Sequence, residues 1–300
     1  MRLLCRLPPS ACPLAVGVLA LAAACTRAPA RDPLLLNGQP GAGPDDSESF
    51  PQPPPLSPLV EYAVIMVPAG ETLTVREQAG SSGSEVAQFE PDQRPVQVTG
   101  VTSQLGSSVW VEVDLPDGGK GWMRAWNLTE ARTPEQACSD PRLASTLDQF
   151  LQAAQAGDPL ALRHTVSPWR GLAVRLDARG GEVQFAPESL GDLFSEKTQI
   201  DWLARPEAGA GDTGSFPRDV VDPLAAAVKA LPPVCGELPA GETAFSPEWP
   251  SEYANLNFVA LHAPADPTGS EFVWNTWAVG FDFAGGVPYV AVIIRYQGEI

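Results

Sequence analysis

From Tyr62 to Trp126 hydrophobic and polar positions alternate in six short runs, "YAVIMV", "LTVRE", "EVAQFE", "PVQVTGV", "SVWVEVDL" and "KGWMRAW". Each run is closed by Gly, Pro, Ser or Asp, and successive side chains of an extended chain fall on opposite faces. In "SVWVEVDL" this places Val109, Val111, Val113 and Leu115 on one face and Trp110, Glu112 and Asp114 on the other. The valine face is the expected core. Pro116, Asp117, Gly118 and Gly119 supply turn chemistry, so that Gly121, Trp122 and Met123 pair back onto the preceding strand. Short strands so punctuated predict a small antiparallel barrel over residues 59–130.

The period changes at Asp140. Leu143, Leu147, Phe150, Leu151 and Ala154 recur at helical spacing behind an Asp140–Pro141 start, and Gly157 ends the run. Asp158 with Pro159 predicts a second helix through His164, and Asp222 with Pro223 a third through Lys229. Strands are expected at "LAVRL" from Leu172, "EVQFA" from Glu182, "NFVALHA" from Asn257, and in two long arms joined at Ala284, Gly285 and Gly286. In the first arm Val273, Trp277, Val279, Phe281 and Phe283 share a face, and the density from Val290 to Ile294 in the second points to burial on both sides. Early helices with a late hairpin predict an α+β domain over 138–300, a sheet wrapped round the one long helix being a possible arrangement. The expected fold class is therefore multidomain: a small all-β barrel followed by an α+β domain with an antiparallel sheet.

Ahead of the barrel the pattern is of a different kind. Arg2 and Arg6 precede "PLAVGVLALAAAC", an apolar stretch too short for a permanent membrane span and suited to an export leader over residues 1–24. Ala22, Ala23 and Ala24 directly before Cys25 resemble the lipobox of bacterial lipoproteins, which implies lipidation of Cys25 and a membrane anchor on the extracytoplasmic side. Simple cleavage uses small residues as well. Residues 25–58, rich in Pro, Gly and Ser, read as an extended stalk. With Cys5, Cys12 and Cys25 assigned to the leader and anchor, Cys138 and Cys235 remain as candidates for one disulfide in an oxidising compartment.

The ordered set Leu73, Val75, Arg76, Gly80 to Gly83, Val86, Phe89, Trp110, Val113, Leu115 to Gly118, Gly121 and Trp122 resembles the bacterial SH3 domain family. The resemblance implies an SH3-like barrel that serves as a binding module, often for cell-wall peptides or polymers, without chemistry of its own. Trp110 and Trp122 map onto the family's recurrent aromatics, and strand alternation sets Trp126 beside Trp122. These three are the candidate ligand contacts, with volume-filling as the competing role.

Nineteen basic against 36 acidic residues, a net charge of −17, argue against nucleic acid and against adhesion to anionic surfaces by charge alone. A peptide, a wall component or an envelope protein is the expected partner. His164 and His262 are the only imidazoles, and neither stands in a metal-ligand or catalytic context. No cofactor, metal site or catalytic residue is expected. The alternative is a wall or glycan hydrolase, drawing on Cys235 as a thiolate or on a carboxylate pair among Asp177, Glu182, Glu188, Asp192 and Asp201. Trp169, Trp202, Trp249, Trp274 and Trp277 are divided between core and a ligand pocket. The Gly-rich stretch around residues 207–217 lacks the ending of a phosphate loop.

Overall fold

Seven strands build the first region: β1 (Glu61–Val64), β2 (Leu73–Arg76), β3 (Glu85–Phe89), β4 (Val96–Leu105), β5 (Ser108–Asp114), β6 (Lys120–Arg124) and β7 (Leu128–Glu130). The computed structural model describes residues 53–177, 181–195, 198–202, 213–239, 247–264 and 274–297. The leader, Cys25, most of the stalk, Val273 and most of the Gly-rich stretch lie outside them. The strands pair in the order β3-β2-β6-β5-β4-β1-β7, each neighbouring pair antiparallel. Val111, Val113 and Leu115 point into a cluster with Val64, Val75, Phe89, Val98 and Met123, as alternation requires. Trp110, Glu112 and Asp114 face the other way. Only Gly118 of the turn takes a positive φ, +85°, while Asp117 Oδ1 accepts from the Gly119 N–H at 2.9 Å.

Gly121 is needed for packing. A Cβ there would stand 2.5 Å from Val75 Cγ1 and 3.0 Å from Val86 Cγ2, so β2 and β3 close over β6 only because this inward position carries no side chain.

The second region contains helices α1 (Pro134–Cys138), α2 (Arg142–Ala156), α3 (Pro159–Arg163) and α4 (Asp222–Ala230). Its strands are β8 (Leu172–Arg175), β9 (Val183–Phe185), β10 (Ile200–Asp201), β11 (Thr213–Gly214), β12 (Pro233–Cys235), β13 (Asn257–Ala263), β14 (Asn275–Ala284) and β15 (Val287–Gln297). Two strands, β10 and β11, pair by themselves, and the other six form one sheet in the order β12-β13-β14-β15-β8-β9. The expected antiparallel sheet is corrected at one seam, where β8 runs parallel to β15. Among the described residues the region is mostly β, with α2 its one long helix, so the α+β expectation holds only in part.

Local chemistry accounts for the helix ends. Asp140 Oδ1 accepts from the Arg142 N–H at 2.9 Å, and Asp158 Oδ1 accepts from both Leu160 and Ala161 at 3.0 Å. Gly157 terminates α2 as expected. Helix α1, absent from the sequence reading, carries a capping box in which Thr133 and Gln136 satisfy each other's backbone. Asp222 is not a cap: it continues a π-helical turn over Pro217–Val221, so the helical run starts five residues before the expected position.

Two cores sandwich the sheet. Leu143, Leu147, Phe150 and Leu151 of α2 share one cluster with Trp277, Val279, Phe281 and Phe283 of β14 and Val290 and Ile293 of β15. The opposite face carries Ala278, Val292, Ile294 and Tyr296, under Tyr253, Leu256 and Trp249. The register between β14 and β15 shifts after Gly280, which pairs with Val292 while Phe281 pairs with Val290. That bulge is why Val290 and Ile293, three positions apart, share the helix side. Gly285 and Gly286, both at positive φ, close the hairpin.

The described residues form one compact unit, and the sheet of the first region is bonded into the second. Ile65 is fully buried in the cluster beneath Tyr253. The Met66 N–H donates to the Glu252 carbonyl at 2.6 Å, and Asn255 Nδ2 to the Val64 carbonyl at 2.8 Å. Cys138, at the end of α1, is bridged to Cys235 on the edge strand β12, 97 positions on, with Cα atoms 5.8 Å apart.

Candidate functional site

The candidate surface is the outer face of β5 and β6. Trp110 pairs across with Arg124, Glu112 with Trp122, and Asp114 with Lys120, while Arg76 of β2 flanks Trp122 on its other side. Trp122 thus stands half-buried between an arginine and a carboxylate. Neither charge is loose. Arg76 donates to the Gly83 carbonyl at 2.7 Å, fixing the loop between β2 and β3. Glu112 accepts from Thr99 Oγ1 at 2.9 Å and Lys120 Nζ at 3.1 Å, and these bonds, led by that of Thr99, hold its carboxyl below the usual range.

Trp110 lies on the same face but is only 6 % exposed, with the Arg124 guanidinium 5.9 Å from its ring centre. It has little surface left for a ligand. Trp126 is half-buried and does not sit where alternation puts it: the strand ends at Arg124, and Ala125–Asn127 form a 3-10 turn with Ala125 and Asn127 buried. Tertiary bonds impose that turn. Arg170 donates through Nη1 to the Trp126 carbonyl at 2.9 Å and through Nη2 to the Leu128 carbonyl at 3.0 Å.

Arg170 is held in turn by Asp282 of β14, Nη2 to Oδ1 at 2.5 Å, with side chains 2 % and 0 % exposed. Ser167 Oγ donates to Asp282 Oδ2 at 2.7 Å. A few residues along, Glu130 accepts from the Gly286 N–H at 2.9 Å and from Arg132 at 3.2 Å. The Phe283 N–H reaches Thr129 Oγ1 at 3.3 Å. The edge of the first sheet that carries Trp126 is therefore set by Arg170 and by polar groups of the long hairpin. Sequence reasoning passed over this pair, although an acid between Phe281 and Phe283 in an otherwise apolar arm is the visible signal of a buried partner.

The residues considered for catalysis are dispersed or engaged. Cys235 is in the disulfide and not a free thiol. His164 closes α3, whereas His262 lies on β13 with Nδ1 2.8 Å from Thr276 Oγ1 and its pKa lowered by burial. Glu182 accepts from Arg175 Nε at 2.9 Å and from the Tyr253 hydroxyl at 2.5 Å, and Arg175 also pairs with Glu252. One guanidinium neutralises both carboxylates. Burial and the adjacent Glu182 push the Tyr253 hydroxyl far above its ordinary value. Glu188 and Asp192 lie on the 3-10 segment Pro187–Phe194, Asp201 ends β10, and Asp177 follows β8. Of the tryptophans, Trp202, Trp274 and Trp277 are buried, Trp249 stacks on Phe258 with ring centres 4.3 Å apart, and Trp169 packs against the barrel core. Among the described residues no group of three or more His, Cys, Asp and Glu is placed to hold a metal ion.

Residues 71–129 match the model of the bacterial SH3 domain family, the stretch that carries the tryptophan face. The chain thus contains a bacterial SH3 domain, a general binding or cell-wall targeting module. No curated protein and no solved structure matches the chain.

Proposed function

We propose that the protein is an exported, lipid-anchored and non-enzymatic binding protein of the cell envelope. Its bacterial SH3 domain engages a peptide, a wall component or a partner protein through Trp122 and Trp126, with Trp110 supporting the face from beneath. One observation carries this reading: Trp122 keeps open indole surface on a face whose charged neighbours, Arg76 and Glu112, are already fixed by internal bonds. A fixed frame round a half-exposed ring loses little on ordering when a ligand stacks there. Export is supported by the leader "VLALAAAC" and by the disulfide, which suits an oxidising compartment. The acidic surface favours neutral or basic ligands over anionic polymer.

The test is cosedimentation of the mature chain with purified wall sacculi and capture of envelope proteins, beside Trp122→Ala and Trp126→Ala chains. Retention lost in the variants is expected; equal retention of all three contradicts the reading. Metabolic labelling with a fatty-acid probe, present in the wild type and absent in Cys25→Ala, tests the anchor.

A further inference from the structure

At the far end of the sheet from the hairpin turn, Leu176, Trp202, Arg218, Asp219, Pro223 and Arg295 line a cavity of about 560 Å3. That volume is in the range of small-molecule sites. Its unusual member is Arg295. In a chain with 36 acids and 19 bases, other inward-set guanidinium groups among the described residues have carboxylates, Arg170 with Asp282 and Arg175 with Glu182 and Glu252. Arg295 pairs with none among the described residues, and its Nε, like those of Arg163 and Arg170, is buried without a hydrogen bond. Its guanidinium lies 5.6 Å from the Trp277 ring centre, which holds it in place. Burial lowers its pKa, the sign of a charge lacking compensation.

The acids of the cavity do not supply that compensation. Asp219 takes Arg218 Nε at 2.6 Å, the Trp202 Nε1–H at 3.0 Å and the Ser215 N–H at 2.7 Å. Asp177 has a partner of its own. Trp202 is buried, with its Nε1 given to Asp219, so the apolar surface open to the cavity is that of half-buried Leu176 and Pro223.

We propose that this cavity is a second ligand site, independent of the barrel, which takes a molecule bearing one carboxylate on an apolar body. The carboxylate seats on the fork of Arg295 and the apolar body lies against Leu176 and Pro223. A guanidinium fork matches a carboxylate with two parallel bonds. A single negative charge suits the site better than a phosphate dianion, because the surrounding acidic field opposes each added charge.

The experiment is calorimetric titration of the full mature chain with indole-3-acetate and indole-3-acetamide, and with a tripeptide ending in phenylalanine whose terminus is free or amidated. Each acid is expected to bind at least about tenfold more tightly than its amide. Whichever acid binds better tells a small acid from a chain terminus. Arg295→Gln is expected to abolish that preference and Arg295→Lys to keep part of it, while Trp122→Ala leaves it intact, which separates this site from the barrel face. Should Arg295→Gln not fold, the preference of the wild-type chain for acid over amide decides. Equal binding of acid and amide, or no saturable binding of any probe up to about 10 mM, overturns the proposal.

Discussion

Replacing Arg170 by Met isolates the bond on which the tryptophan wall depends. The substitution leaves the Asp282 carboxylate, 0 % exposed, with Ser167 Oγ as its remaining donor, and leaves the Trp126 and Leu128 carbonyls without their donors. Removing one partner of a buried pair costs about 3–5 kcal/mol, against a total stability of roughly 5–15 kcal/mol. With a urea dependence of about 2–3 kcal/mol per molar, the midpoint falls by about 1–2.5 M. Urea unfolding is followed by far-UV circular dichroism and by tryptophan fluorescence, and the two signals are expected to coincide because Ile65 and Arg170 tie the regions together. In the double variant Arg170→Met/Asp282→Leu the orphaned charge is gone, so most of the loss returns although the two carbonyls stay unpaired. A loss below about 1 kcal/mol in Arg170→Met, or a double variant as unstable as the sum of the singles, refutes the buttress.

Three further outcomes follow from separate features. Gly121→Ala forces a methyl to within 2.5 Å of Val75 Cγ1 and is expected to cost about 1–3 kcal/mol by overpacking, read as a lowered melting temperature. Reduction, or Cys138→Ser with Cys235→Ser, releases a loop of 97 positions and is expected to cost about 2–5 kcal/mol in the same denaturation assay. At Asp219 burial works to raise the pKa, but the bonds from Arg218, Trp202 and Ser215 outweigh it and leave the carboxyl below its ordinary value. Its stabilisation is thus present above the unfolded value of about 4 and is lost as pH falls through the folded one, so Asp219→Asn flattens the acid limb of the stability profile.

The antiparallel sheet of the first region was legible because its signals are local. Alternation in "SVWVEVDL" sets Val111 and Val113 inward whatever lies beyond, and "PDGG" reverses the chain on its own turn chemistry. The cap at Asp158, and the Asp140 side-chain bond to the Arg142 N–H just ahead of α2, were readable for the same reason. Trp126 was misplaced because a long-range bond from Arg170, 44 positions away, turns the chain where alternation would extend it. The parallel pairing of β8 with β15 depends on contacts more than a hundred positions apart, which no local pattern encodes. The start of the run leading into α4 was missed because Pro217 and Asp222–Pro223 are both good first-turn signals, and the bond from the Ser215 N–H to Asp219 favours the earlier one.

The tryptophan face is tested most directly by the indole N–H resonances of the mature chain, recorded while soluble wall fragments or a captured envelope protein are titrated in. Trp122 and Trp126 are expected to shift together and saturably, while buried Trp274 and Trp277 stay where they are. Saturable binding that moves other signals and leaves Trp122 and Trp126 unchanged contradicts the assignment of the ligand to this face.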